Sequence, residues 1–188
     1  MTDAVERLEE RAFKTYKSRL AAHHRLSSRN NAWNASLIAL STATTIASVG
    51  LLSDAAMYGK RGETLLAALA ILSLVASLVV ANMNYGARSR SMEANYKRIQ
   101  QISMDAENLR LGTTELTEKV FLTLQREYGI AVESSENHSQ GDYGRTFEVK
   151  SLRGEQRRDT AITLAPYLSI LAPILIVIPF IQWIVDGW

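Results

Sequence analysis

The sequence has no cysteine in its 188 residues, and this absence excludes disulfides, thiol nucleophiles and cysteine-based metal sites. Proline is scarce, because the three prolines all lie in the stretch from residue 166 to residue 179. No Walker loop, dinucleotide-binding fingerprint or His-Glu-x-x-His motif is present. We therefore predict that the chain is not an enzyme and that it has no catalytic residue, no metal site and no cofactor.

Acidic and basic residues are missing from two long stretches, residues 30–53 and residues 64–87. A helix rises about 1.5 Å per residue, so about 20 residues cross a hydrocarbon core about 30 Å thick. Both stretches are long enough, and a third uncharged run covers residues 160–185. These runs predict an all-α membrane protein. Its transmembrane helical hairpin is continuous with long cytosolic helices, and a proline-kinked C-terminal transmembrane helix follows.

The charged boundaries of these runs predict the order of the segments along the chain. They are a cytosolic amphipathic helix (residues 1–31), transmembrane helix 1 (residues 32–53), an external turn (residues 54–63), transmembrane helix 2 (residues 64–85), cytosolic helices (residues 86–128), a polar cytosolic loop (residues 129–160) and transmembrane helix 3 (residues 161–186). Within the polar loop a short strand could form at residues 145–150, although one strand cannot make a sheet.

The first segment carries apolar and aromatic residues at helical spacing: Val5, Leu8, Ala12, Tyr16, Leu20 and His23. Residues 86–128 carry similar faces, and a cytosolic helical bundle or coiled coil is the simplest way to bury them. The alternative for the first helix is that it lies along the inner leaflet.

The third uncharged run contains every proline of the chain: Pro166, Pro173 and Pro179. Proline removes a backbone donor and kinks a membrane helix. The run is therefore either a strongly bent span or a partly re-entrant segment, and the sequence leaves both open. Trp183 and Trp188 suit an interfacial aromatic belt at its end.

Lysine and arginine set the topology, because cytoplasmic segments of membrane proteins carry an excess of both. Seven precede residue 30 and twelve lie between residues 88 and 159, whereas the predicted external turn has only Lys60 and Arg61. We therefore expect a multi-pass inner-membrane protein whose N-terminus and residues 86–160 are cytoplasmic. The long charged segment before the first apolar run predicts no cleavable signal peptide.

The first membrane run is rich in small and hydroxyl residues, which form two lines along the helix. Alanines form one line at four-residue spacing: Ala35, Ala39, Ala43 and Ala47. Polar residues form the second line on a nearby face: Asn34, Ser41, Thr45 and Ser48. Close helix packing explains both lines. The functional alternative is that the polar line faces water in an oligomeric pore, which needs several copies because three helices cannot enclose a channel.

The densest polar cluster lies in the predicted loop, and its members are our candidates for receiving a signal or docking a partner: Glu136, Asn137, His138, Asp142 and Tyr143. Glu136, His138 and Asp142 could be imagined as metal ligands or acid–base groups. One histidine on a glycine-containing loop gives such a site weak support. Hydrogen bonds that fix the loop against the helical bundle are favoured over catalysis, and a gating or ligand-contacting role lies between the two.

The whole pattern resembles the SLATT proteins, membrane effector domains associated with nucleotide-sensing prokaryotic conflict systems. The resemblance rests on the basic N-terminal helix that enters a membrane hairpin and on the helix start Arg88-Ser-Arg-Ser-Met-Glu-Ala-Asn-Tyr96. It also rests on Leu124-x-x-Glu127-Tyr128, followed by Glu136-Asn-His138 and Asp142-Tyr143. The C-terminal third run, which the family does not always have, suggests the branch found beside reverse transcriptases.

The resemblance implies a pore-forming or membrane-disrupting effector of antiviral defence, held closed until a nucleotide or partner signal releases it. Infection would then be answered by loss of membrane integrity, as in abortive infection. The partners implied are the lipid bilayer, further copies of the chain, and a reverse transcriptase or nucleotidyltransferase encoded nearby; no direct nucleic-acid site is evident. The alternative is a non-conducting membrane anchor or scaffold for a cytosolic enzyme.

Overall fold

A computed structural model describes residues 1–186, and in this range the chain is helical without strands. The elements are α1 (Thr2–Ser53), α2 (Gly62–Met83), α3 (Tyr85–Arg110), α4 (Glu118–Glu133), α5 (Gln140–Thr146), a 3-10 turn (Lys150–Leu152), α6 (Arg153–Ser169) and α7 (Leu171–Asp186). The all-α prediction is therefore confirmed, and α1 is one helix, as expected. Trp188, the second predicted belt residue, lies outside the described residues.

The chain forms two compact units. The polar unit consists of Met1–Ser27 and Gly86–Thr160, and the apolar unit consists of Ser28–Tyr85 and the segment that begins at Ala161. Helices α1 and α6 contribute residues to both units.

In the polar unit, α1 packs antiparallel to α3. Near one end of the pair, Arg110 Nε donates to Glu9 Oε2 over 2.6 Å. Near the other end, His23 Nδ1 lies 3.0 Å from the carbonyl oxygen of Ser89. Helix α4 runs parallel to α1, because contacts with α4 advance along both helices together. The apolar core between these helices consists of Val5, Leu8, Ala12, Ile99, Ile102, Ala106, Leu109, Leu124 and Ala131.

The apolar unit contains the residues of α1 after Ser27, α2, and the chain from Ala161 onward. Among residues 1–186, three helical stretches are long and apolar enough to cross a membrane: Thr2–Ser53, Gly62–Arg110 and Lys150–Asp186. In α2 only Gly62 and Leu66 are buried, so most of its apolar surface is free to face lipid. The turn before α2 is tied to α7, because the Tyr58 hydroxyl donates to the carbonyl oxygen of Ile176 over 2.7 Å.

The prolines interrupt the C-terminal apolar helix as predicted. Helix α6 contains Pro166 and ends at Ser169, and α7 starts at Leu171 and contains Pro179. Pro173 has no N–H to donate to the carbonyl group of Ser169, four residues earlier, so the regular hydrogen-bond ladder stops there. The Ser169 hydroxyl in turn donates to the carbonyl oxygen of Pro166 over 2.5 Å.

The strand considered at residues 145–150 is wrong. These residues complete α5 and enter the 3-10 turn. Ser139 caps α5 in a capping box with Asp142, which satisfies two backbone donors at the start of the helix and favours helix over strand. Glu148 then adopts a left-handed conformation with φ 53°, and the chain turns back toward α6.

Candidate functional site

The polar line of α1 lies on an exposed face within the apolar unit. Its four members are all exposed: Asn34, Ser41, Thr45 and Ser48. At about 100° per residue they lie within about 60° of one another around the helix. The opposite face of α1 is buried and consists mainly of small residues: Ala32, Ser36, Ala43 and Ala47. The polar line is therefore available for contacts outside the unit.

Two of these hydroxyl groups are already bonded to their own helix. Thr45 Oγ1 donates to the carbonyl oxygen of Ser41 over 2.8 Å, and Ser48 Oγ donates to that of Thr44 over 2.8 Å. Within residues 1–186, the side chains of Asn34 and Ser41 form no hydrogen bond. The amide of Asn34 is thus the polar group on this face with the strongest need for an outside partner.

The predicted alanine line is only partly a packing surface. Ala43 and Ala47 are buried, Ala39 is half-buried and Ala35 is exposed, because a four-residue step advances about 400° and the line drifts around the helix. The small residues allow close approach to the C-terminal apolar helix, where the Ser36 and Ser169 hydroxyls form a hydrogen bond.

Asp142 is the most buried of the predicted docking residues, with 1% of its surface exposed. It accepts two hydrogen bonds from Arg25: Nε lies 2.9 Å from Oδ1 and Nη2 lies 2.9 Å from Oδ2. The backbone N–H of Ser139 donates to Oδ2 over 2.9 Å. Burial alone would raise the pKa of Asp142, but the hydrogen bonds from Arg25 and Ser139 outweigh it and lower the pKa. The carboxylate is therefore held ionised between two helices.

The other predicted docking residues are nearer the surface. Glu136 pairs with Arg88, whose Nη2 lies 2.8 Å from Oε2, and Asn137 is exposed. The His138 ring stacks on Tyr143 with centroids 6.3 Å apart. Burial is the main cause of the lowered pKa of His138, and the charge of Arg19 adds to it. The structure thus brings His138, Asp142 and Tyr143 together, whereas Glu136 contacts α3.

Arg19 is a central residue of the polar unit that the sequence analysis missed. It is 1% exposed, and it donates to Asn95 Oδ1, to the carbonyl oxygen of Ala131 over 3.2 Å and to that of Val132 over 2.9 Å. These carbonyls end α4, where unpaired carbonyl groups carry partial negative charge. Burial lowers the pKa of Arg19. Its position seven residues after buried Ala12 was the signal in the sequence.

Helix α5 sits so close to the 3-10 turn that Gly144 leaves no room for a side chain. A Cβ atom there would lie 2.7 Å from Leu152 Cβ and 2.8 Å from Gln156 Nε2. We expect Gly144→Ala to lower the free energy of unfolding by about 1–3 kcal/mol through overpacking, as measured by thermal denaturation of the full chain in detergent. Gly154→Ala is the control, because nothing lies within 4 Å of its added Cβ. Equal melting temperatures for the two variants would contradict the close packing.

Metal ligation has no candidate in the described part of the chain. Among residues 1–186, no group of three histidine, aspartate or glutamate side chains lies close enough together to hold a metal ion.

Comparison with known protein families gives a match over nearly the whole chain. A family model described as "SMODS and SLOG-associating 2TM effector domain family 5" matches residues 1–185. No curated protein and no solved structure matches. The description counts two transmembrane helices, whereas three stretches here are long and apolar enough to cross a membrane, and the match includes the third.

Proposed function

Because residues 1–185 match that model, the chain belongs to the SMODS and SLOG-associating 2TM effector domain family 5, and from this premise we propose that it assembles into oligomers that permeabilise the inner membrane. The family is one of effector domains of conflict and defence systems. The proposal adds the mechanism: several copies turn the polar face of α1 inward, and the loss of membrane integrity ends the infection.

The observation that carries this proposal is the line of exposed polar side chains in the uncharged part of α1, residues 30–53. Polar side chains that face lipid are unfavourable, and in membrane proteins they usually face the interior of a bundle or a water-filled cavity. Asn34, Ser41, Thr45 and Ser48 point away from the buried face of α1. Copies of the chain arranged around a common axis would give these groups water and one another as partners.

The second transmembrane helix suits the lipid side of such an assembly. Its exposed residues are mostly aliphatic, with Leu72 60% and Leu78 63% exposed. A helix whose surface is mostly apolar is stable in the hydrocarbon core of a bilayer. Together α1 and α2 therefore offer an inner polar face and an outer apolar face.

The orientation and the trigger complete the proposal. The excess of lysine and arginine in residues 1–29 and 88–159 supports a cytoplasmic position for the polar unit. There it would receive a nucleotide signal or a partner, such as a reverse transcriptase or nucleotidyltransferase encoded nearby. The exposed residues Glu136 and Asn137, with the neighbouring His138 and Tyr143, are the proposed docking surface.

Replacing two hydroxyl residues of the polar face tests the pore. We expect Ser41→Leu with Thr45→Leu to slow the depolarisation of bacterial cells that overexpress the protein by about tenfold, the factor given by 1.4 kcal/mol of added barrier. Leucine removes the polar surface and narrows the water-filled path. A membrane-potential dye measures the depolarisation, and immunoblotting of membranes verifies expression.

Ser77→Leu is the matched control, because Ser77 is an exposed hydroxyl residue of α2, the proposed lipid-facing helix. This variant should depolarise cells as the unchanged protein does. Equal depolarisation by the double variant would remove Ser41 and Thr45 from the lining of the pore.

A non-conducting anchor or scaffold is the second candidate function, and one observation favours it. The hydroxyls of Thr45 and Ser48 are satisfied by carbonyl groups of their own helix, so this part of the face can lie in lipid at little cost. An anchor would tether a cytosolic enzyme through the polar unit. Overexpression that leaves the membrane potential unchanged would favour the anchor over the pore.

A further inference from the structure

A cleft in the polar unit lies between the first turns of α1 and the middle of α4. Its volume is about 420 Å³, which is within the range of about 300–1,000 Å³ typical of small-molecule sites. Leu8 lies at its apolar base, Arg7 and Arg11 line one side, and Phe121, Gln125 and Tyr128 line the other. None of these residues belongs to the predicted pore or docking surface.

The charge of this cleft distinguishes it from others in the same unit. Its lining contains two arginines and no carboxylate. A neighbouring cleft combines Lys119 with Asp105 and Glu127, and another combines Arg110 with three glutamates. A third cleft combines Lys119 and Arg126 with Glu118. A small anion would therefore be attracted to the Arg7–Arg11 cleft, whereas the lining of each of these three clefts includes at least one carboxylate that opposes it.

In the described part of the chain, the side chains of Arg7 and Arg11 are also free to contact a ligand. Within residues 1–186, the guanidinium groups of Arg7 and Arg11 form no hydrogen bond or ion pair, whereas Arg19, Arg25 and Arg110 all have partners. Residues four apart on a helix lie side by side, so the two guanidiniums can converge on one group. On the α4 side of the cleft, the Tyr128 hydroxyl lies 2.9 Å from Thr15 Oγ1 of α1.

We propose that this cleft binds a small organic phosphate that carries a planar ring, of which a nucleoside monophosphate is the simplest example. The planar forks of Arg7 and Arg11 match phosphate oxygens. The half-buried rings of Phe121 and Tyr128 offer apolar surface on which a planar ring can stack. The ligand would bridge α1 and α4. Its binding is argued from the cleft alone, and only its role as a signal rests on the proposed function.

Calorimetric titration of the full chain in a nonionic maltoside detergent, free of added phospholipid, tests this proposal. The probes are adenosine monophosphate, adenosine and inorganic phosphate. We expect saturable binding of the monophosphate, weaker binding of phosphate, no binding of adenosine, and an affinity that falls as salt is added. Addition of anionic phospholipid vesicles should leave the affinity for the monophosphate unchanged; competition by the vesicles would assign the cleft to lipid headgroups instead and overturn the proposal.

Arg7→Gln and Arg11→Gln should each weaken the binding of the monophosphate by at least about tenfold, as expected for the loss of a charge-assisted contact. Glutamine keeps the helix propensity and both positions are exposed, so folding is preserved, and circular dichroism verifies it. Arg126→Gln is the matched control: it removes an exposed positive charge of α4 outside the cleft and should change the affinity by less than about twofold. Unchanged affinity when both arginines are replaced by glutamine in one protein, or no saturable binding by the unchanged protein, overturns the proposal.

The binding test is independent of the pore. If the monophosphate binds with the expected dependence on Arg7 and Arg11 but cells keep their membrane potential, the cleft stands and the proposed pore falls. If the cells depolarise but no phosphate compound binds, the pore stands and the proposed ligand is wrong.

Discussion

Asp142→Ala should lower the free energy of unfolding by about 3–5 kcal/mol, the usual effect of removing one partner from a buried ion pair. The side chains of Arg25 and Asp142 are only 9% and 1% exposed, so the Arg25 charge left behind would be poorly hydrated. The substitution also removes the acceptor of the Ser139 N–H in the capping box of α5. Hydrogen exchange of the full chain in detergent, read on the amides of α5 and α1, measures the loss.

Glu136→Ala provides the matched control within the same loop. Its carboxylate also pairs with an arginine, but the side chains of Arg88 and Glu136 are 42% and 36% exposed. Exposed pairs contribute about 0–1 kcal/mol, so this variant should be nearly as stable as the unchanged protein. Equal losses in the two variants would show that burial does not set the strength of the Arg25–Asp142 pair.

The lowered pKa of Asp142 makes the stability that the Arg25–Asp142 pair contributes depend on pH in the acid range. The pKa in the folded protein lies below the ordinary value of 3.8, so the folded state binds the proton less well than the unfolded state. The stabilisation is complete above pH 3.8 and is lost as the pH falls through the lower, folded-state pKa. Asp142→Ala should lack this part of the acid dependence, and a pH series of melting temperatures for the two proteins checks it.

The membrane helices could be predicted from the sequence because an uncharged, mostly apolar run of about 20 residues has the length and the composition of a helix that crosses a bilayer. The proline-interrupted C-terminal helix followed from the same reasoning, since proline cannot continue the hydrogen-bond ladder. By contrast, residues 145–150 suggested a strand. Their helical and turn conformation depends on the Ser139 cap and on packing against α6, which local propensity does not reveal.

The sequence predicted only part of the buried face of α1 in the polar unit. Val5, Leu8 and Ala12 are buried as expected, but Tyr16, Leu20 and His23 are half-buried. The buried line continues instead through Arg19, Ala22 and Leu26. An arginine is normally assigned to solvent, so its presence at a core position concealed the spacing of three and four residues that marks packed helices.

The sequence identified Asp142 as a polar residue of interest but not the residue that pairs with it. The loop residues were expected to form hydrogen bonds that fix the loop, and Asp142 does so. Its partner, Arg25, is 117 residues away in the chain, a separation that no local pattern can reveal. For the polar line of α1, the structure shows which residues share an exposed face, and the lining of a pore stays a prediction.

Arg19→Met should lower the free energy of unfolding by about 3 kcal/mol. Methionine fills much of the space but donates no hydrogen bond, so Asn95 Oδ1 and the Val132 carbonyl oxygen lose the donor that Arg19 provides. Each buried acceptor left unsatisfied costs about 1–3 kcal/mol. The carbonyl oxygen of Ala131 is less affected, because Asn95 Nδ2 donates to it over 2.6 Å. Relief from burying a charge offsets part of the loss.

A double-mutant cycle with Asn95→Leu separates the arginine's contact with Asn95 from its contacts with α4. Residues of one hydrogen-bond network couple by about 0.5–3 kcal/mol, so the combined variant should lose less stability than the sum of the single losses. The control is Arg126→Met on the exposed face of α4, which should change the free energy of unfolding by no more than about 0.5 kcal/mol. Strict additivity of the Arg19 and Asn95 losses would mean that the guanidinium stabilises the unit through the carbonyl end of α4 and not through Asn95.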